Sequence, residues 1–223
     1  MTSDAGGQPY DADLMAAVTE LGTALRELVD ASVLTTVPAD QLRAAAADAR
    51  AVTARLAAAQ RPVTQLPVLD DPLVFRRVYN PVSGVGSALA PPVRIRRVEG
   101  GVVGEALLGP AYEGPPGYVH GGWIALGFDE ILGMANIASG HPGMTGRLSI
   151  RYRRPTPLHR PMVFEGWTDQ VDGRRVVTRG TLTVDDSVTA EAEGLFVVID
   201  LDRATEYFGE RAYERRQAAD PLP

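Results

Sequence analysis

No cysteine occurs among the 223 residues, which removes disulfides, thiolate-bound metals and a cysteine nucleophile together. Histidine is nearly as scarce: His120, His141 and His159 are too scattered for a convincing zinc site, so no metal is expected. Lysine is missing altogether, and acidic side chains outnumber the arginines 28 to 22. A net charge of −6 favours solubility and argues against an extended phosphate-binding face, so no nucleic-acid partner is expected. No apolar run reaches the roughly 18 residues that a bilayer-spanning helix requires. The opening "MTSDAGGQPYDAD" has no basic stretch leading into an apolar one, so neither a secretory leader nor a membrane is expected, and a cytoplasmic setting is. What remains is an ordinary globular composition, 45% apolar and 22% charged, long enough for one sizeable core and an appendage.

Leu14, Val18, Leu21, Leu25 and Leu28 recur at alternating spacings of four and three, the stripe of an amphipathic helix. After "TTVPAD", with Pro38 suited to a helix start, Leu42, Ala45, Ala49, Val52 and Leu56 repeat the pattern. Residues 1–60 therefore read as a helical hairpin whose seams need burial against each other or another surface, an accessory packing or dimerisation element. Residues 61–91 carry Pro62, Pro67, Pro72, Pro81 and Pro91, a connector apolar enough in "LVFRRVYNPVSG" to lie on the body.

Strand patterns occupy residues 92–202. "VRIRRV" and "VVGEALLG" flank a glycine turn, and "TGRLSIRYRRP", "MVFEGWTDQV", "RVVTRGTLTV" and "TAEAEGLFVVI" follow a long helix. Asp172-Gly173 is expected to form a type I′ hairpin turn. Residues 203–223 read as a short helix and tail, with Asp202 as its N-cap. An antiparallel sheet with one face to bury and a helix apolar nearly all round predict an α+β fold, the sheet wrapped around the helix.

That helix, "GYVHGGWIALGFDEILG", carries two adjacent carboxylates. Asp129 has Ala125, Leu126, Leu132 and Gly133 as helical neighbours, and Glu130 has Leu126, Gly127, Gly133 and Met134. A carboxylate in either place costs several kcal/mol unless it is partnered, and a charge denied its hydration suits a general base or nucleophile. Local physics does not choose between the two. Gly121 and Gly122, at the first turn, leave backbone N–H groups unobstructed at the positive end of the helix dipole.

"HGGWIALGFDEILG", together with the downstream "MTGRLSIRYRRPTPL", resembles the signature of hotdog-fold acyl-CoA thioesterases, especially the phenylacetate-pathway type. The resemblance covers roughly residues 92 to 200. There His-Gly-Gly opens the central helix and an acidic residue follows seven positions after the second glycine, where Asp129 stands and Glu130 does not. It implies that the Gly121 amide, with Gly122 beside it, holds the thioester carbonyl. Asp129 would activate water or attack to give a transient anhydride, Thr145 would help hold the water, and His120 would orient loop and substrate. It also implies a site shared between the subunits of a homodimer or dimer of dimers, with no cofactor beyond the coenzyme A of the substrate. Relatives often place Asn or Gln in the loop before the histidine, where this chain offers only Tyr112, Glu113 and Tyr118.

Arg151, Arg153 and Arg154 crowd the strand after the helix, with Arg160 beyond them. They suit the phosphates of coenzyme A or the phosphopantetheine of an acyl carrier protein, and equally suit plain solvation. Two rivals stand beside hydrolysis of an acyl-CoA. A hydratase or dehydratase acting on an enoyl thioester needs a histidine partner that this pattern lacks. A non-catalytic acyl-CoA-binding or scaffold protein would be stabilised by ligand without turnover.

Overall fold

The computed structural model describes residues 10–63, 65–71 and 75–198. Two N-terminal helices, α1 (Ala12–Leu34) and α2 (Ala39–Ala57), precede an extended connector and a six-stranded antiparallel sheet. The strands are β1 (Arg94–Val98), β2 (Gly101–Leu107), β3 (Gly143–Tyr152), β4 (Pro161–Asp172), β5 (Arg175–Val184) and β6 (Ser187–Val198). Between β2 and β3 come a short 3-10 turn, Pro110–Tyr112, and the long helix α3 (Gly121–Ala138). The expected helix over the last residues lies outside the described residues. None of the described helices is long and apolar enough to cross a membrane.

The sheet order is β1-β2-β4-β5-β6-β3, and α3 packs on one face against every strand from β2 to β3. Burial alternates along β4, β5 and β6, as a sheet with one covered face requires. Phe128, Ile131, Leu132 and Ala135 on α3 are almost wholly buried against Phe164, Val176, Leu182 and Phe196. Phe128 meets Phe164 edge to face with centroids 5.3 Å apart, the geometry ring quadrupoles favour. Each such side chain contributes about 1.5–3 kcal/mol on burial. This is the hotdog architecture, a sheet curled around one helix.

Two expectations are corrected. The two-residue turn between β4 and β5 is Gly173-Arg174, because Asp172 pairs with Arg175 and only Gly173, at φ 54°, has positive φ. The turn with both central residues at positive φ, which type I′ requires, is Asp185-Asp186 between β5 and β6, at 47° and 60°. Aspartate tolerates this region through its short polar side chain.

The second correction concerns the helical seams, which stay half-exposed. α1 starts with Asp11 capping the Asp13 and Leu14 amides, but it docks through a face rotated from the leucine stripe. Gly22 is its one buried residue, and a Cβ there would collide with the Val85 carbonyl. Arg26 donates to the carbonyls of Val85 (3.0 Å) and Ser87 (2.8 Å), while Asp30 accepts from the Ala111 amide. Polar anchors and one close approach thus choose the face, leaving Leu14, Leu21 and Leu28 outward. α2 has no buried residue, with Leu42 and Leu56 about half-exposed.

The connector lies on the body, burying Leu69, Val78, Val82 and Ala90. Asp70 is buried within it, accepts from the Val78 amide at 2.7 Å and pairs with Arg77 at 3.3 Å. Burial raises its pKa, against the opposing effect of the Val78 amide and Arg77.

Candidate functional site

The two adjacent carboxylates of α3 point to different parts of the molecule. Consecutive helical residues are about 100° apart, so one faces the connector and the other the β3 edge. Glu130 is fully engaged. Its Oε2 accepts from Asn80 Nδ2 at 2.9 Å and its Oε1 from the Ser83 hydroxyl at 3.0 Å. Asn80 in turn accepts the Val82 and Ser83 amides through Oδ1, so its side-chain amide is oriented by the turn it builds. Glu130 therefore fastens the connector to the central helix.

Asp129 has one neighbour of this kind. The Thr145 hydroxyl donates to its Oδ1 at 2.8 Å from the exposed start of β3. A register shift between Thr145 and Arg147, against β6, marks a bulge at this point of the strand. Bulges re-aim side chains, and this one turns Thr145 toward the helix. Oδ2 forms no bond among the described residues.

At the other end of the exposed face stands the first turn of α3. His120 is its N-cap, with Nδ1 accepting the Gly122 amide at 3.0 Å. A neutral imidazole accepting at Nδ1 keeps its proton on Nε2, so the ring acts as cap and donor. The His120 carbonyl takes the Trp123 amide, and the Gly121 amide has no hydrogen-bond partner among the described residues. The Gly121 carbonyl accepts from the Tyr152 hydroxyl at 2.8 Å.

The loop before the helix is tightly held. The His120 amide bonds to the Tyr112 carbonyl, and the Tyr112 ring stands edge-on to Trp123 with centroids 4.9 Å apart. Burial, reinforced by Asp30, pushes the Tyr112 phenol up to about 12, so it stays protonated and donates to the Leu89 carbonyl. Glu113 accepts the Gly117 amide at 2.7 Å. Of the loop's polar side chains, only Tyr118 is left without such a bond among the described residues.

The arginines divide. Arg153 pairs with Glu191 at 2.6 Å, and that bond, with a smaller effect from the Arg151 charge, holds the Glu191 carboxyl below its ordinary value. Arg151 lies opposite Glu191 in the β3–β6 register. Arg154 bonds through its backbone to the Thr189 carbonyl, and its guanidinium forms no ion pair among the described residues. Arg160 pairs with Asp185 at 2.7 Å, beyond the site.

The structure thus brings Asp129 and Thr145 together, and His120, Gly121 and Gly122 together, as two separate groups. Tyr152, Asn80 and Ser83 emerge only from the fold. For Asn80 a signal existed, since Asn-Pro after an apolar run marks a turn whose side chain is oriented. Tyr152 had none, being one aromatic among alternating strand residues.

Comparison with known proteins matches residues 116–191 to the family described as the thioesterase superfamily. A crystal structure of a thioesterase superfamily protein superposes with a TM-score of 0.73 at 37% identity, covering 81% of this chain and 94% of that one. Acyl-coenzyme A thioesterase THEM4 of Xenopus laevis is 35% identical over 91 residues, 40% of this chain and 41% of the relative. THEM4 of Bos taurus is 33% identical over 99 residues, 44% and 40% of the two chains. The chain thus spans about two fifths of the length of these curated relatives.

Proposed function

The chain belongs to the thioesterase superfamily, and on that premise we propose that it hydrolyses an acyl-CoA thioester to the free acid and coenzyme A. The observation that carries the reading is the contrast at α3: a carboxylate held by a single hydroxyl at the β3 edge, beside a helix terminus whose first amide is unused.

The unused Gly121 N–H and the helix dipole behind it favour the negative charge that develops on a thioester carbonyl oxygen. Asp129 then acts in one of two ways. As a general base it takes a proton from water while the water oxygen attacks the carbonyl carbon; as a nucleophile it forms an acyl anhydride that water cleaves. Either route expels the coenzyme A thiolate, which leaves as the thiol once protonated. Thr145, which holds one carboxylate oxygen, orients the other towards the reacting atom. His120 fixes the turn that carries Gly121, and Gly122 leaves room for the thioester. Water is the only co-reactant, so no metal or cofactor is required.

Gly121 and Asp129 are eight residues apart on one helix, about 12 Å at 1.5 Å per residue. One carbonyl group needs the amide within about 3 Å of its oxygen and the carboxylate either equally close to its carbon or one water further off, about 6 Å, so a single chain does not complete the site. Among the described residues the edge strand β3 pairs with β6 alone, and its Met144 and Tyr152 are half-exposed. Antiparallel pairing of two such edges across a two-fold axis brings the Gly121 end of one chain to the partner's Asp129, giving a homodimer or a dimer of dimers. On this reading Arg151, Arg153 and Arg154 take the substrate phosphates, on coenzyme A or on an acyl carrier protein, Arg153 while also paired with Glu191. Residues 92–202 carry the reaction and residues 1–60 are accessory to it. A cytoplasmic setting belongs to the same proposal.

The test is thiol release from a panel of short, long and aromatic acyl-CoAs by the native protein and Asp129→Asn. Turnover that collapses in the variant while dimer and melting temperature persist is expected. Equal rates would remove Asp129 from the mechanism, and no turnover on any substrate would overturn the hydrolase reading.

A further inference from the structure

We propose that Tyr152 is a positioning residue: its hydroxyl clamps the Gly121–Gly122 peptide in the first turn of α3 and thereby restricts rotation about the Gly121 Cα, the atom that joins this peptide to the one carrying the Gly121 N–H. The catalytic part of this rests on the thioesterase reading above. The clamp itself does not.

The first turn of α3 is held on its inner side by the Tyr112–Trp123 contact and the His120 backbone, but its two glycines offer no side chains of their own. It opens on two glycines, which lose the most backbone freedom when ordered and cost about 1 kcal/mol each relative to alanine in a helix. No acidic side chain lies in that turn, and the single side-chain cap, His120, holds the Gly121–Gly122 peptide by its N–H end alone. The Tyr152 hydroxyl holds the other end of that same peptide, donating to the Gly121 carbonyl at 2.8 Å. The contact is close from both sides, for a Cβ added to Gly121 would lie 3.3 Å from the Tyr152 oxygen. A side chain at 121 would press the phenol back by a few tenths of an ångström.

The phenol is anchored at its root. Tyr152 is the last residue of β3 and pairs with Ala190 of β6, and the next two amides, of Arg153 and Arg154, both bond to the Thr189 carbonyl at 2.8 and 3.1 Å. The ring is half-exposed, so it is not part of the core. Its fixed feature is the hydroxyl contact. β3 therefore touches α3 through hydroxyls at both ends, Thr145 on Asp129 and Tyr152 on Gly121. In the two-chain site, the Tyr152 end of one strand lies beside the Thr145 end of its partner.

Tyr152→Phe removes the hydroxyl alone. We expect kcat on the best acyl-CoA to fall by about tenfold to a hundredfold, the scale of a small misplacement of an oxyanion donor, with KM within about twofold. Amide hydrogen exchange across residues 121–126, read by mass spectrometry, should quicken by about tenfold while the dimer and its melting temperature hold. Unchanged exchange would overturn the clamp. Faster exchange with native kcat would overturn its catalytic consequence. A native protein inactive on every acyl-CoA would sink the thioesterase reading, leaving exchange alone to judge the clamp. Gly121→Ala strikes the same contact from the other side, so its loss of turnover should shrink in the Tyr152→Phe background; strictly additive losses would overturn the coupling.

Discussion

Asp129 and Glu130 are neighbours in the chain with almost the same apolar surroundings on the helix, yet they sit in opposite situations. Both side chains are half-buried, so burial does not separate them. What separates them is occupancy. Both oxygens of Glu130 accept bonds from the connector, from Asn80 and Ser83, whereas among the described residues Asp129 receives one bond, from Thr145. A carboxylate saturated by donors is a fastener, and one with an oxygen to spare at an exposed edge is available for chemistry. The two flanks of α3 divide accordingly, one joined to the connector and the other exposed beside the start of β3.

The comparison is broken most directly by exchanging charge for amide on each side. Asp129→Asn should lower turnover about a thousandfold, about 4 kcal/mol in the barrier, with a melting temperature close to native. Comparable turnover in the variant would put Asp129 with Glu130 among the fasteners. Glu130→Ala should do the reverse. It strands the Asn80 and Ser83 donors and should cost about 2 kcal/mol of stability, read as a lower urea midpoint, with native turnover per folded molecule. Thr145→Ala sharpens the open side: a loss of about tenfold in kcat, or about 1.4 kcal/mol, which Thr145→Ser should largely restore.

Asp70 gives the smallest and most conditional effect, as a buried carboxylate that donors do not fully repay. Its folded pKa lies above the ordinary 3.8 because burial outweighs the Val78 amide and Arg77. Between those two values the native state binds more protons than the unfolded one, so stability falls as pH rises through the window. Its favourable contribution is complete below the ordinary value and gone above the folded one. In Asp70→Asn this slope should vanish, so urea unfolding should show the variant gaining on the native protein as the pH is raised through that window. Parallel curves would show that Arg77 compensates fully.

Periodicity made the central helix and the sheet legible, because one face of each strand and nearly the whole of α3 must be covered. Position 129 became distinguishable from 130 only through the resemblance to the thioesterase signature, which sets an acidic residue seven positions after the second glycine; nothing in their helical neighbours differed enough. The partners of Glu130 were illegible, since Asn80 and Ser83 stand 50 and 47 residues away in sequence. The docking face of α1 was hidden for the same reason, as Arg26 finds its acceptors 59 and 61 residues on. The leucine stripe was read correctly as helix but its burial was not, because a glycine and two charged side chains set the contact. The turn types failed differently: Asp-Gly is the stronger local signal, yet the strand register placed the double positive φ at Asp185-Asp186.

One feature of the sheet has a bearing on how the molecule is made. β3 is the first strand after the central helix, but among the described residues its sole partner in the sheet is β6, the last. As the chain leaves the ribosome, Thr145 and Tyr152 emerge well before the strand that will support them, with residues 161–184, which form β4 and β5, in between. Synthesis at about 5–20 residues per second makes that interval seconds long. The β3 edge is therefore ordered late, and a nascent chain carries Thr145 and Tyr152 without their supporting strand until β6 arrives.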